Sequence, residues 1–333
     1  MFSAIQNASV SVLILRVGLT LLAWSSAYAA QTNGKPLETT GDVHIARYDM
    51  HVKMGNDTVE VKAAYHLWLP PNAKTIRAII VHQHGSGAGA TNDGPWFAQD
   101  LHWRELAAKW DCVLIGPQYA NPPGGKMAWS GVEYGSDKVF LGALNDFARE
   151  LKHPELTQVS WVLWGHSGGA RWVSGMTRKY PERVLALCLK SGGGLIDHSD
   201  SQPATLEGPY EQLPIICIAG EKERTGESTS YRSIWRGNSE FTRQWRLRNG
   251  LIAFVSIPNA GHECSNSRFF AIPFFDACLS QRLPEPGKTE MRNMNRDNAW
   301  LGNPDTKEIA PAGQYSGHAI AAMWFPDEKT ALA

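Results

Sequence analysis

The sequence has no excess of charge of either sign. Its 333 residues include 32 Lys and Arg against 32 Asp and Glu, so the formal net charge at neutral pH is zero. Proteins that bind nucleic acids or anionic membrane surfaces electrostatically carry a clear positive excess. We therefore expect neither nucleic acid nor an anionic membrane as a partner.

Long apolar runs are missing after the first 30 residues. No later segment reaches the roughly 18 consecutive apolar residues that a membrane-spanning helix needs. Near the N-terminus, an apolar run over 17–24 precedes the small-x-small pattern Ala27-Tyr28-Ala29. We interpret residues 1–29 as a secretory signal peptide, which predicts a secreted or periplasmic protein with no membrane span after cleavage. Arg16 interrupts the hydrophobic stretch, so an uncleaved anchor is the alternative.

Cysteine is scarce and follows no metal-binding spacing. The five cysteines are Cys112, Cys188, Cys217, Cys264 and Cys278. The first three lie in apolar runs typical of buried strands. The last two flank a short loop and a predicted helix; in an exported protein they could pair, or both stay reduced. His82, His84 and His166 lie near predicted strand ends, but their spacing matches no zinc pattern, so we expect neither a metal nor a cofactor.

Apolar residues between 43 and 283 follow strand and helix patterns in turn. Residues 43–53 and 59–69 alternate polar with apolar side chains and predict an antiparallel pair at a sheet edge. Continuous apolar runs predict buried parallel strands at 78–82, 111–116, 159–164, 184–189, 213–219 and 251–257. Helical patterns separate them, including one from about Trp96 to Lys109. The order predicts an α/β protein with a mainly parallel, doubly wound sheet and helices on both faces.

No internal repeat divides the chain, and its length is consistent with one large domain plus tails. We assign residues 30–285 to that domain. Residues 286–333 contain isolated apolar patches, two of them with a tryptophan, among polar, proline and glycine residues. We expect a C-terminal extension packed on the domain. Disorder is the alternative, which the tryptophans disfavour.

A serine between glycines follows the strand predicted at 159–164. The segment reads Gly165-His166-Ser167-Gly168-Gly169. Glycines two positions away on both sides permit a sharp strand-to-helix turn, because larger side chains there would collide with the strand and the helix. The turn presents the Ser167 hydroxyl above the sheet. A serine hydroxyl is a poor nucleophile, so it needs an adjacent base.

Together with later segments, this turn resembles the α/β-hydrolase superfamily over residues 43 to 283. The resemblance rests on the order serine, acid, histidine. His262 follows the last predicted strand in Asn-Ala-Gly-His, and its imidazole can accept the Ser167 proton near neutral pH. The resemblance places the acid at Glu223, in Gly-Glu-Lys-Glu after the preceding strand, where relatives usually carry aspartate. Glu221 and Asp197 are the alternative acids.

The resemblance also implies an oxyanion hole made of two backbone N–H groups. One belongs to Gly168, the residue after the nucleophile. The other belongs to the loop His84-Gly-Ser-Gly, which is similar to the His-Gly-x-Gly loop of esterases; Gly85 and Ser86 are both candidates. The loop containing Trp129 and Tyr134 is our candidate for the acyl or aryl pocket. An ordinary packed surface loop is the alternative.

These motifs predict a serine hydrolase that cleaves a carboxylic ester through an acyl-serine intermediate, with a small-molecule or polymer-derived ester as substrate. The opening of the domain, over residues 66–84, is loosely similar to exported polyhydroxybutyrate depolymerases and feruloyl esterases. The segment 191–212 is short and polar, so we expect no large hydrophobic lid. A serine peptidase of the same fold and a catalytically idle binding protein are the alternatives.

Overall fold

The computed structural model describes residues 36–54, 56–120, 127–195 and 207–333. The signal peptide predicted at 1–29 and the alternative acid Asp197 lie outside these residues, as do residues 196–206 of the segment expected to lack a lid. The β-strands are β1 (Glu38–Thr40), β2 (Val43–Met54), β3 (Asp57–Trp68), β4 (Ala78–Gln83), β5 (Cys112–Tyr119), β6 (Ser160–His166), β7 (Val184–Lys190), β8 (Ile215–Gly220), β9 (Ile252–Ile257), β10 (Trp300–Gly302), β11 (Ile309–Pro311) and β12 (Met323–Phe325). The α-helices are α1 (Ala88–Gln99), α2 (Leu101–Lys109), α3 (Ser136–Glu150), α4 (Gly168–Lys179), α5 (Glu221–Thr225), α6 (Thr229–Leu247), α7 (Arg268–Arg282) and α8 (Glu328–Leu332).

The central sheet has the strand order β1-β2-β3-β5-β4-β6-β7-β8-β9. The first three strands are antiparallel to their neighbours, and all pairs from β4 onward are parallel. The central strands are buried along their whole length because helices cover both faces of a parallel sheet. This architecture confirms the predicted α/β-hydrolase fold, including the antiparallel N-terminal edge.

Alternate residues of each strand supply two separate hydrophobic cores, since successive side chains point to opposite faces. Ile79 and Val81 of β4 face one core, which α3, α4 and α6 complete. Ile80 faces the other core, which α2 and α7 complete. The carboxyl ends of the parallel strands all lie at one edge, where the loops that carry the candidate site residues begin.

Two helices occupy the segment for which the sequence predicted a glycine-rich loop and one helix from about Trp96 to Lys109. That prediction was wrong about where the helical segment begins and about its continuity. Helix α1 begins directly after Gly87. Asp100 lies between α1 and α2 and ends the helical conformation, with extended backbone angles of φ −66° and ψ 118°. Its carboxylate accepts hydrogen bonds from the His102 and Trp103 N–H groups. An aspartate that caps a helix in this way separates two helices.

The C-terminal segment forms a small antiparallel sheet in the order β11-β10-β12. Leu301 and Trp324 of this sheet are buried in the core that contains α2 and α7. The buried guanidinium of Arg246 donates to the carbonyls of Ala319 and Ala322, both at 2.6 Å. Apolar packing and these hydrogen bonds connect the C-terminal segment to the rest of the described structure, and its assignment as an extension of a single domain stays a prediction. Within the described parts of the chain, no helix has the length and apolarity to cross a membrane.

Candidate active site

Ser167 occupies the turn between β6 and α4 with a φ of 52°, in the left-handed region that side chains rarely adopt. The flanking glycines explain how the turn fits. A Cβ on Gly169 would lie 2.2 Å from the carbonyl oxygen of Gln83, and one on Gly165 would lie 2.5 Å from the Gly169 carbonyl oxygen. No side chain fits at either position. The collision that the sequence analysis predicted for larger side chains at these two positions is therefore confirmed.

Ser167, His262 and Glu223 form a continuous hydrogen-bonded chain. His262 Nε2 lies 2.9 Å from Ser167 Oγ, and His262 Nδ1 lies 2.5 Å from Glu223 Oε1. A carboxylate accepts only, so it holds the proton on Nδ1 and leaves the Nε2 lone pair directed at the serine hydroxyl. The structure brings together the three side chains selected from the sequence; their catalytic roles stay predictions.

Glu223 is buried, with 1% of its surface exposed. Its second oxygen accepts hydrogen bonds from the Ser191 hydroxyl at 3.1 Å and the Gly220 N–H at 3.3 Å. These donors fix the orientation of the carboxylate. Glu221, the nearer alternative, is exposed and accepts from the Asn259 N–H at 3.1 Å. Of the two glutamates, only Glu223 contacts His262.

Sequence reasoning missed a buried lysine behind the carboxylate. Lys190, the last residue of β7, is fully buried, and its ammonium group hydrogen-bonds the Ser191 hydroxyl. Burial lowers the pKa of Lys190, and the charge of Glu223 opposes that shift. Lys190 and Glu223 therefore both contact the same buried hydroxyl, that of Ser191. In the sequence, Lys190 is only a lysine at the end of an apolar strand, and that pattern by itself predicts an exposed strand end.

Tyr231 is a second residue that the sequence did not single out for the site. Its ring stacks on the His262 ring with centroids 4.0 Å apart and planes 8° apart. Tyr231 lies in the first turn of α6 and is 40% exposed. The stack limits rotation of the imidazole and covers one of its faces. The two residues are far apart along the chain, and neither neighbouring sequence predicts the contact.

The structure distinguishes between the two candidates in the loop after β4. The Gly85 N–H donates a hydrogen bond of 2.7 Å to Nδ1 of the preceding residue, His84. The Ser86 nitrogen lies 3.5 Å from the position of a Cβ on Gly168. Gly168 opens α4, where backbone N–H groups have no acceptor within the helix. The N–H groups of Ser86 and Gly168 are therefore the better pair for a developing oxyanion, and that assignment stays a prediction.

The proposed pocket residues lie in different surroundings. Trp129 is fully buried and stacks on Tyr119 with ring centroids 4.8 Å apart. Its Cη2 lies 3.5 Å from the Cβ position of Gly168, so its ring edge borders the serine turn. Tyr134 is partly buried, packs against the same core and lies beside Gly131. Trp129 is thus close to the candidate site, and a substrate role for either residue stays a prediction.

The pairing considered for Cys264 and Cys278 does not occur, because both thiols are free. Cys278 is buried in the core beneath α7. Cys264 has its sulfur 3.0 Å from His84 Nε2 instead. The two side chains therefore have different partners despite their proximity in sequence.

Comparison with known proteins gives matches in fold only. No family model and no curated protein matches the sequence. A poly(3-hydroxybutyrate) depolymerase from Bordetella parapertussis matches at 15% identity over 72% of this chain and 92% of that one, with a TM-score of 0.44. An S-formylglutathione hydrolase from Agrobacterium tumefaciens matches at 12% identity over 73% and 97%, with a TM-score of 0.46. A ferulic acid esterase matches at 13% identity over 72% and 100%, with a TM-score of 0.47. These likenesses are distant, so the fold assignment rests on the strand order and directions.

Proposed function

We propose that the protein is an exported serine hydrolase that cleaves a carboxylic ester. The observation that supports this best is the hydrogen-bonded chain from Glu223 through His262 to Ser167. Each group in the chain has the partner that its role requires. The serine has a base, the base has a fixed tautomer, and the acid is held in place by the Ser191 hydroxyl.

In the proposed reaction, His262 Nε2 takes the Ser167 proton as Oγ attacks the ester carbonyl carbon. The carbonyl oxygen becomes an oxyanion and accepts hydrogen bonds from the Ser86 and Gly168 N–H groups. Loss of one such donor typically costs about 3 kcal/mol of transition-state stabilisation. The intermediate collapses, His262 protonates the departing alcohol, and an acyl-serine remains. Water, deprotonated by His262, then attacks the acyl group and releases the acid and free Ser167.

Glu223 and Tyr231 stabilise the positive charge that develops on His262. The Glu223 carboxylate lies against the imidazolium, and the Ser191 hydroxyl, which also contacts Lys190, holds that carboxylate in place. Tyr231 presents a ring face to the imidazole, and aromatic faces attract cations. These contacts favour proton transfer from serine to histidine.

Hydrolysis of a short p-nitrophenyl ester tests this proposal. We expect turnover by the wild-type protein and loss of nearly all turnover in Ser167→Ala. Ser280→Ala is the matched control, since this exposed serine lies on α7 away from the triad. Equal rates in wild type and Ser167→Ala would refute the enzyme proposal and support a binding protein.

Labelling with an organophosphonate tests the nucleophile independently of substrate choice. We expect a single adduct, mapped to Ser167 by mass spectrometry. A panel of acyl chain lengths and aryl esters then narrows the substrate, while turnover of peptide amides without esters would favour the peptidase alternative. Export rests on residues 1–29 alone; sequencing the N-terminus of the mature protein tests it, and an intact Met1 would contradict cleavage.

A further inference from the structure

Three potential metal ligands from separate parts of the chain meet beside the candidate active site. They are His84 after β4, His166 at the end of β6 and Cys264 after β9. One donor atom from each lies within 4.8 Å of the other two. The proposed ester hydrolysis uses none of these side chains. Sequence spacing predicted no metal site, because the fold brings together residues about 80 to 180 positions apart.

His166 has the arrangement expected of a metal ligand. It is 5% exposed, and its Nε2 hydrogen-bonds the backbone carbonyl of His262 at 2.5 Å. A carbonyl only accepts, so Nε2 carries the hydrogen and Nδ1 holds the lone pair. Nδ1 is buried and has no hydrogen-bond partner among the described residues. Metal-binding histidines commonly donate their other N–H to a backbone carbonyl in this way. A buried acceptor without a partner is costly, and a metal ion would satisfy it.

The three donors lie close enough to share one ion. Cys264 Sγ is 3.0 Å from His84 Nε2. A tetrahedral ion with ordinary zinc bond lengths separates neighbouring nitrogen and sulfur donors by about 3.3–3.6 Å, so a small side-chain movement brings this pair into range. Asp93 Oδ2 is 3.3 Å from the same nitrogen but does not lie within 4.8 Å of all three donors, so we do not count it as a ligand. Asp93 lies on α1 and is partly exposed, which leaves a path from solvent.

We propose that His84, His166 and Cys264 bind one divalent transition-metal ion of the zinc type. Two imidazoles and a thiolate are ligands that Zn²⁺ and Co²⁺ prefer in tetrahedral sites, and three protein ligands leave the fourth position to a solvent molecule. The thiolate neutralises one of the two positive charges of the ion. Lys190 also lies near Cys264, and its ammonium charge favours the thiolate.

Binding requires two proton movements. Burial raises the pKa of the Cys264 thiol to about 12, so without a metal the sulfur holds its proton; that proton leaves to solvent as the metal–sulfur bond forms. His84 Nδ1 now accepts from the Gly85 N–H, which places the ring hydrogen on Nε2. Ligation through Nε2 moves that hydrogen to Nδ1 and releases the Gly85 N–H. The ion would thus join the loops after β4 and β9 to the serine turn.

Cobalt titration of the untagged, chelator-treated protein tests the site without relying on esterase activity. We expect a thiolate-to-cobalt charge-transfer band and tetrahedral visible bands that saturate at one equivalent of Co²⁺. In Cys264→Ser the charge-transfer band should disappear, and Co²⁺ affinity should fall by about 100-fold or more, since even outer-shell changes cost 10- to 100-fold. Cys278→Ala is the control, because this cysteine lies outside the cluster, and it should keep the band.

Circular dichroism and thermal unfolding establish that each variant is folded. If Cys264→Ser does not fold, His84→Gln provides the same test, with weaker binding and loss of tetrahedral bands expected. Absence of a thiolate band in the wild type at one equivalent would overturn the proposal. An unchanged cobalt spectrum in Cys264→Ser would overturn it as well. Loss of esterase activity in Ser167→Ala with normal cobalt binding would leave this site intact.

Discussion

Replacing the buried acid by its neutral isostere, Glu223→Gln, is the most direct test of the hydrogen-bonded chain. Glu223 Oε1 lies 2.5 Å from His262 Nδ1, so the imidazolium and carboxylate charges are about 4 Å apart. At an effective dielectric constant of about 20, that pair is worth about 4 kcal/mol. Loss of this energy in the transition state corresponds to about a 10³-fold slower reaction. A glutamine that donates its N–H to Nδ1 would also select the wrong tautomer and lower the rate further.

The assay is kcat for a p-nitrophenyl ester, with Glu221→Gln as the matched control on the exposed neighbour. We expect Glu221→Gln to keep near wild-type kcat. Glu223→Gln should also unfold at a lower temperature, because an amide cannot accept hydrogen bonds at both ends as the buried carboxylate does from His262 on one side and from Ser191 and Gly220 on the other. Rates are therefore compared well below the midpoint of unfolding. A folded Glu223→Gln protein with kcat within tenfold of wild type would refute the proposed role.

Further substitutions test the surrounding structure. Gly169→Ala should lower the free energy of unfolding by about 1–3 kcal/mol in urea titration, because its Cβ would lie 2.2 Å from a β4 carbonyl oxygen. Gly237→Ala, on the exposed face of α6 with open space around it, should raise the free energy of unfolding by about 0.5–1 kcal/mol. Tyr231→Ala should reduce kcat by about 2- to 5-fold, since the stacked ring face favours the imidazolium that forms in the transition state, while Tyr231→Phe should restore kcat. Arg246→Met should make the C-terminal extension more sensitive to limited proteolysis, because three backbone carbonyls lose a buried donor. An unchanged digestion pattern would contradict the expectation that Arg246 holds this segment in place.

Much of the fold was readable from the sequence because its signals are local. Continuous apolar runs mark strands that are buried on both faces, as for 78–82, which became β4. The Gly-x-Ser-x-Gly turn is equally local, since each glycine is required by a contact within the strand–turn–helix unit or with the adjacent strand. The break at Asp100 was missed because a helix-capping aspartate in the middle of a helical pattern is also compatible with one continuous helix.

The sequence by itself identified the serine turn, the histidine after the last strand and a short choice of acids, because these follow from local pattern and chain order. Only the tertiary structure shows that Glu223 rather than Glu221 hydrogen-bonds His262, since that contact depends on which carboxylate points across the sheet edge, and the catalytic role of Glu223 stays a prediction. The partners of Lys190 and Cys264 were likewise set by the fold. Residues far apart in the chain meet where parallel strands end together, and no pattern within one segment records which neighbour a side chain will find there.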